Sequence, residues 1–180
     1  MAPSTLSPEI PTSSCCKGHQ RNASSQEDTP KRKVLLAVDH SEHTLRAFNW
    51  YLDDLHKEDS ILYILHCQEL PALTLPPHAY ATRIYEDWLE EAKKTEAKNK
   101  DLLHSLKQKC ESRNVKCELF LEHASSAGDA LCQFIKERKP NYVVIGSRGQ
   151  GMVRRTVLGS VSDFVIHHSA VPVCVCPPEQ

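Results

Sequence analysis

Glycine is scarce in this sequence. The 180-residue chain holds six, and four of them, Gly146, Gly149, Gly151 and Gly159, fall in one short stretch. Long apolar runs are missing as well. Nothing approaches the roughly 18 consecutive apolar residues of a membrane-spanning helix. Neither sign of charge dominates, with a formal net charge of −1, so no nucleic-acid or membrane partner is indicated. The eight cysteines contain no C-x-x-C pair, which removes the common zinc and dithiol spacings. The start of the chain has no apolar signal core, so a secreted disulfide framework is not expected. The cysteines read instead as reduced thiols of a cytoplasmic protein, most of them small apolar fillers. No H-E-x-x-H or G-x-S-x-G occurs, which excludes a zincin site and a hydrolase nucleophile elbow. His40-x-x-His43 and His167-His168 lack a third ligand at a metal-binding spacing, and histidine near a helix C-terminus is ordinary dipole complementarity.

A chain of this length with 40% hydrophobic residues can bury one sizeable core. Residues 1–30 stand apart from it. They hold four prolines, six serines and three threonines, with Met1, Leu6 and Ile10 as the only large apolar side chains. Such a segment buries too little surface to offset its ordering entropy. It is expected to be a solvated tail, ahead of one domain over residues 31–178. Acidic residues argue against a transit peptide, and Ala2 gives Cys15-Cys16 no myristoyl signal to support acylation.

From Lys33 onward, strand and helix patterns alternate. Lys33–Asp39 is a compact apolar run ending in an acid, and Ser41 suits a helix N-cap. Leu45, Phe48, Leu52 and Leu55 then share a helical face. Ser60–Cys67 is a second strand, followed by a proline-punctuated loop over residues 68–78. A long charged helix is expected over residues 79–112, with Trp88, Leu89, Ala92, Leu102, Leu103, Leu106 and Cys110 as its apolar stripe. The gap between Ala92 and Leu102 breaks the heptads of a coiled coil. Val115–Glu122 is a third strand. Ala127–Arg138 is a helix, Tyr142–Ile145 a strand, Ser160–His168 a helix, and Val171–Cys176 a last strand in which Pro172 suggests a sheet edge. This alternation predicts an α/β fold: a doubly wound five-stranded parallel sheet with helices on both faces. Ligands in such sheets sit beyond the carboxyl ends of the strands. Asp39 and Gly146 both fall there.

The stretch from Asn141 to Ser160 therefore draws the functional reading. A strand breaks at Gly146 into a glycine loop, and a helix begins near Gly159-Ser160, a combination suited to an anion. Arg154 stands where a dinucleotide fingerprint needs its third glycine, and Met152-Val153 replace the lysine and hydroxyl of a P-loop. What fits is G-x2-G-x9-G-S, formed by Gly146, Gly149, Gly159 and Ser160. Arg148, Arg154 and Arg155 add charge for phosphate oxygens. Against this, Ser160-Val-Ser-Asp163 has the form of a capping box, which would place Asp163 against an anion.

That motif, with KVLLAVDHSE near the start and VLGSVSDFVIHHSAVPVCVC at the end, resembles the universal stress protein family over about Lys33 to Pro177. The resemblance implies strand order 3-2-1-4-5, ATP binding, and a homodimer through Val171–Cys176. It places Ala37, Val38 and Asp39 beside the nucleoside and Cys67 beside the adenine, with Ile145 and Gly146 also against the nucleoside. Gly149, Gly159, Ser160, Val161 and Ser162 would line the phosphates, with Arg148 beside them. A divalent ion, Mg2+ or Mn2+, would ease the conflict with Asp163, although no metal ligands are identifiable. Three functions stay open at this point: a nucleotide-dependent switch or adaptor, a slow ATPase at the same site, and a scaffold with an empty pocket.

Overall fold

The computed structural model describes residues 32–69, 81–147 and 158–177. Five parallel strands form one sheet: β1 (Arg32–Val38), β2 (Ser60–Glu69), β3 (Cys117–Ala124), β4 (Tyr142–Gly146) and β5 (Val173–Cys176). Their order is β3-β2-β1-β4-β5, as the resemblance implies. The helices are α1 (Glu42–Trp50), α2 (Ala81–Ser112), α3 (Ala127–Arg138) and α4 (Ser160–His168). The expectations for the tail, for the loop beyond Glu69, and for Arg148, Gly149, Gly151, Met152, Arg154 and Arg155 lie outside the described residues.

The central strands are apolar throughout because both of their faces are covered. Side chains alternate across the sheet. Val34, Leu36, Val38, Leu62, Ile64 and Val144 join one core cluster with Phe48 and Tyr51 and with Leu103, Leu106 and Cys110 of α2. Leu35, Ala37, Tyr63, Leu65, Val143 and Ile145 join the other, with Leu131, Phe134 and Ile135 of α3 and Val165 of α4. Deleting one such aliphatic side chain from a core typically costs about 2–5 kcal/mol.

Several boundaries and faces differ from the sequence reading. Helix α1 buries Thr44, Ala47 and Phe48, and Tyr51 is fully buried just beyond it, whereas Leu45 is 39% exposed. Small Thr44 and Ala47 allow close approach to the sheet, a face that counting large aliphatics overlooks. A π-helical turn over Tyr51–Leu55 follows, closed by His56 N–H donating to the Tyr51 carbonyl at 2.8 Å. It changes the helical phase, so Leu52 and Leu55 are only half-buried. Strand β3 begins two residues late because Val115 N–H is drawn back to the Cys110 carbonyl (2.9 Å). Asn114 takes a left-handed conformation in that turn (φ 55°). Pro172 precedes β5, which stands at a sheet edge, and its carbonyl accepts from Val143 N–H (2.9 Å). On α2 the i,i+4 pairs Glu90–Lys94 (2.9 Å) and Glu96–Lys100 (2.6 Å) form. Gly128 lets α3 approach α4, where a Cβ would lie 2.7 Å from the Phe164 ring.

Candidate functional site

At the carboxyl ends of the strands lies a cavity of about 420 Å³. Strand β1 supplies Ala37 and Val38 and, just past its end, Asp39. Strand β2 supplies Cys67, and β4 supplies Ile145 and Gly146. Gly159, Ser160, Val161 and Ser162 line the cavity from the start of α4. These are all the expected site residues except Arg148 and Gly149, which fall outside the described residues.

Asp39 is held in a cap. Its Oδ1 accepts from Ser41 N–H (3.0 Å), the Ser41 hydroxyl (2.5 Å) and the Thr44 hydroxyl (2.6 Å). Asp39 N–H in turn donates to Thr44 Oγ1 (2.9 Å). This acid turns the chain from β1 into α1 and places negative charge at a helix N-terminus, where it is favoured. Gly146 has a packing reason of its own: a Cβ there would meet the Cβ and the carbonyl oxygen of His43 at 3.2 Å. Close approach is indeed what this glycine permits, and the neighbour is α1.

The two ends of the glycine stretch are fastened together by Ser147. Its carbonyl accepts from Gly159 N–H (2.8 Å) and from the Ser162 hydroxyl (3.0 Å), while its N–H donates to Cys176 O of β5 (2.8 Å). The Ser162 hydroxyl also points to the Gly159 carbonyl (2.9 Å) and is 2% exposed. The capping box does not form. Gly159 is the N-cap of α4, in an extended conformation (φ −69°, ψ 154°), and no side chain caps the helix. A glycine N-cap leaves the first N–H groups of α4 without a side-chain acceptor, and Ser160, the first helical residue, is exposed. Asp163 is also exposed and does not line the cavity.

Three helix N-termini meet at this cavity, and the other two are capped from within the protein. Ser41 caps α1 by accepting from Thr44 N–H (3.3 Å). Ser126 caps α3 by accepting from Asp129 N–H (3.4 Å), and Glu69 Oε1 accepts from Ala127 N–H (3.0 Å).

The wall toward α2 is polar, and sequence reasoning did not assemble it. His66, Gln68 and Asn99 are 6%, 4% and 2% exposed and line the cavity with His40 and Thr95. His40 Nε2 donates to Asn99 Oδ1 (2.8 Å), and Asn99 Nδ2 donates to Gln68 Oε1 (3.0 Å). His66 Nδ1 donates to the Val38 carbonyl (2.8 Å). Burial holds His66 below the usual imidazole range, with the His40 ring 5.6 Å away, so it is neutral near pH 7. The signal was present in the sequence: Asn99 sits in the gap of the α2 stripe, and His66 and Gln68 share one face of β2. Burial pushes the Cys67 thiol up to about 12, with Glu122 and Glu69 adding to the effect. It is therefore a wall residue and not a nucleophile.

Among the described residues, no cluster of three or more His, Cys, Asp or Glu side chains could hold a metal ion. His167 and His168 donate Nδ1–H to the carbonyls of Asp163 and Phe164, both at 2.8 Å. Among the described residues, no helix is long and apolar enough to cross a membrane.

Comparison with known proteins agrees with this geometry. Residues 31–177 match the model of the universal stress protein family. An Arabidopsis thaliana universal stress protein A-like protein is 28% identical over 155 residues, covering 84% of this chain and 83% of that protein. A universal stress family protein from Arabidopsis thaliana, solved with AMP bound, superposes with TM-score 0.60 at 26% identity, covering 83% of this chain and 93% of that one. A universal stress protein solved in complex with cAMP shares the fold, with TM-score 0.58 at 18% identity over 81% of this chain and 96% of that one. The alternating strands, the glycine stretch that closes on α4 and the match across residues 31–177 agree: this chain belongs to the universal stress protein family.

Proposed function

We propose that this chain binds an adenine nucleotide, with ATP as the principal ligand, and acts as a nucleotide-dependent switch or adaptor. The observation that carries the reading is the N-terminus of α4. Of the three helix starts that the described residues place at the cavity, it alone has a glycine N-cap without a side-chain acceptor. Its N–H groups and partial positive charge suit phosphate. Gly159, Ser160, Val161 and Ser162 form the phosphate end. Ser162 contributes its backbone N–H there, because its hydroxyl hydrogen is taken by two carbonyls. Val38, Cys67 and Ile145 flank the nucleoside, with Asp39 and Gly146 beside the ribose. Arg148 and Gly149, which lie outside the described residues, are proposed as further phosphate contacts. AMP bound to the Arabidopsis relative supports the choice of base.

The described residues offer no metal cluster, so Mg2+ or Mn2+ would be held chiefly by the nucleotide's own phosphates. The two carboxylates that the described residues place on the cavity wall are both engaged in protein hydrogen bonds, Asp39 with Ser41 and Thr44 and Glu69 with Ala127. That favours binding over efficient turnover, which needs a residue to orient water. The homodimer belongs to the same proposal, through the edge at β5. Val171, Val173 and Val175 pack against the protein's own core, so the backbone of this edge is what it offers a partner.

The test is to purify the chain, denature it and identify any released nucleotide, then to incubate fresh protein with ATP and a divalent ion. Retained ATP without turnover supports the switch. Steady ADP release moves the assignment to a slow ATPase. No nucleotide in the preparation and no binding on titration overturns both. A sedimentation profile of a single monomer overturns the dimer.

A further inference from the structure

Helix α2 is anchored over only part of its length. Among its described side chains the buried ones are Asn99, Leu103, Leu106 and Cys110, which recur at helical spacing along one face. Leu103, Leu106 and Cys110 join the core beneath the helix. Toward the N-terminus no side chain in residues 82–98 is buried, a reach of about 25 Å at 1.5 Å per residue. Trp88, Leu89, Ala92 and Thr95 are half-buried there, and Ile84 and Tyr85 are 38% and 45% exposed. This outer half is braced along its own surface, by the Glu90–Lys94 and Glu96–Lys100 pairs and by the stacking of Tyr85 on Trp88. Asn99 thus stands where the helix leaves the core. It is the polar member of the four anchors, held by hydrogen bonds where Leu103, one turn on, is held by packing.

We propose that Asn99 is a latch through which the cavity governs the outer half of α2: nucleotide in the cavity fastens residues 82–98 to the sheet, and its loss releases them. This rests on the cavity being the nucleotide site, and it names the element that carries the switch. Asn99 lines that cavity with His40, Gln68 and Thr95. Its Oδ1 accepts from His40 Nε2–H, just past β1 (2.8 Å), and its Nδ2 donates to Gln68 Oε1 of β2 (3.0 Å). Gln68 Nε2 continues to the Ala92 carbonyl of α2 at 3.5 Å, the long limit of such a bond. One chain of hydrogen bonds therefore ties α2 to the sheet at the wall of the cavity. Its centre is dry, with Asn99 2% and Gln68 4% exposed, but its ends are not: His40 is exposed and Ala92 half-buried. Water in an open cavity competes for those ends. A bound nucleotide displaces that water and lowers the local dielectric, which strengthens the bonds of the chain. The longest link, from Gln68 to Ala92, is the one that reaches into the outer half. Leu103, Leu106 and Cys110 are packed in the core with or without a ligand, so the change is confined to the other side of Asn99.

The test is hydrogen–deuterium exchange of the full-length chain, read by mass spectrometry with and without ATP, with occupancy set by titration calorimetry on the same preparation. Without ATP, peptides from residues 82–98 should exchange faster than those from residues 103–110. Saturating ATP should slow exchange in residues 82–98 by about fivefold or more and leave residues 103–110 unchanged. In Asn99→Ala, at matched occupancy, ATP should still protect residues 160–162 but no longer residues 82–98. Alanine is a strong helix former and three apolar anchors remain, so α2 persists in this variant, which far-UV circular dichroism checks. ATP that binds and protects residues 160–162 while residues 82–98 stay unchanged overturns the latch alone. So does an equal slowing of residues 82–98 in Asn99→Ala. Calorimetry that shows no ATP binding overturns the nucleotide reading, and the latch with it.

Discussion

The Ser162 hydroxyl donates to the Ser147 carbonyl at 3.0 Å. This contact joins the end of β4 to the first turn of α4, with Gly159 N–H reaching the same carbonyl at 2.8 Å. The end of β4 and the start of α4 are thus tied together by the protein's own hydrogen bonds. Ser162→Ala removes one arm of that closure at a site 2% exposed. The expected loss of stability is about 1 kcal/mol, read from urea unfolding, with weaker nucleotide binding beside it. Unchanged stability would show that Gly159 N–H holds the closure alone.

Gly146→Ala separates packing from ligand approach. Its new Cβ would press on the backbone of α1 at His43, 3.2 Å away. Overpacking of this kind costs about 1–3 kcal/mol, so the variant should unfold at lower denaturant with its m-value kept. A variant as stable as the parent would mean that α1 shifts freely at this point.

His66 makes stability fall in mild acid. Its folded value lies below the ordinary 6.5 through burial. Between the folded value and about 6.5, the unfolded chain binds a proton that the folded chain refuses. The stabilisation is therefore complete above that window and is lost as pH falls through it. Melting temperature should drop from pH 7.5 to pH 5.5, and His66→Gln should flatten part of that slope. His56 shifts in the same direction, so the difference between wild type and variant is the quantity to read. An identical slope in His66→Gln would contradict the assignment.

The parallel α/β architecture and the position of the cavity were legible because both rest on local pattern, whereas the strand order came from the family resemblance. Apolar runs such as Val34–Val38 and Val143–Ile145 could only be buried strands, and Gly146 and Gly159 mark the loop ends. Ala37, Val38, Asp39, Cys67 and the first turn of α4 met in one cavity as expected. The polar wall was not legible. Asn99 looked like a break in an apolar stripe, while its partners His40 and Gln68 lie 59 and 31 residues away. Only the packing of α2 on the sheet brings them together. The capping box at Ser160 also misled, since its pattern is satisfied in sequence but the helix starts one residue earlier than that box requires, with Gly159 as its N-cap. The expected face of α1 held at Phe48 but not at Leu45, because small Thr44 and Ala47 control how close a helix can approach, and a hydrophobicity count gives them little weight.

Titration calorimetry of ATP and AMP into the wild type and Ser160→Asp tests the phosphate end of α4 most directly. Ser160 is exposed and opens the helix, so an aspartate there suits the helix dipole and should leave stability unchanged or slightly raised. It also sets a carboxylate where phosphate is proposed to sit. Saturable one-site binding to the wild type, weakened about tenfold or more in a folded Ser160→Asp, corresponding to at least about 1.4 kcal/mol, is the expected result. Equal affinity in the two proteins, or a wild type that binds no adenine nucleotide, would contradict it.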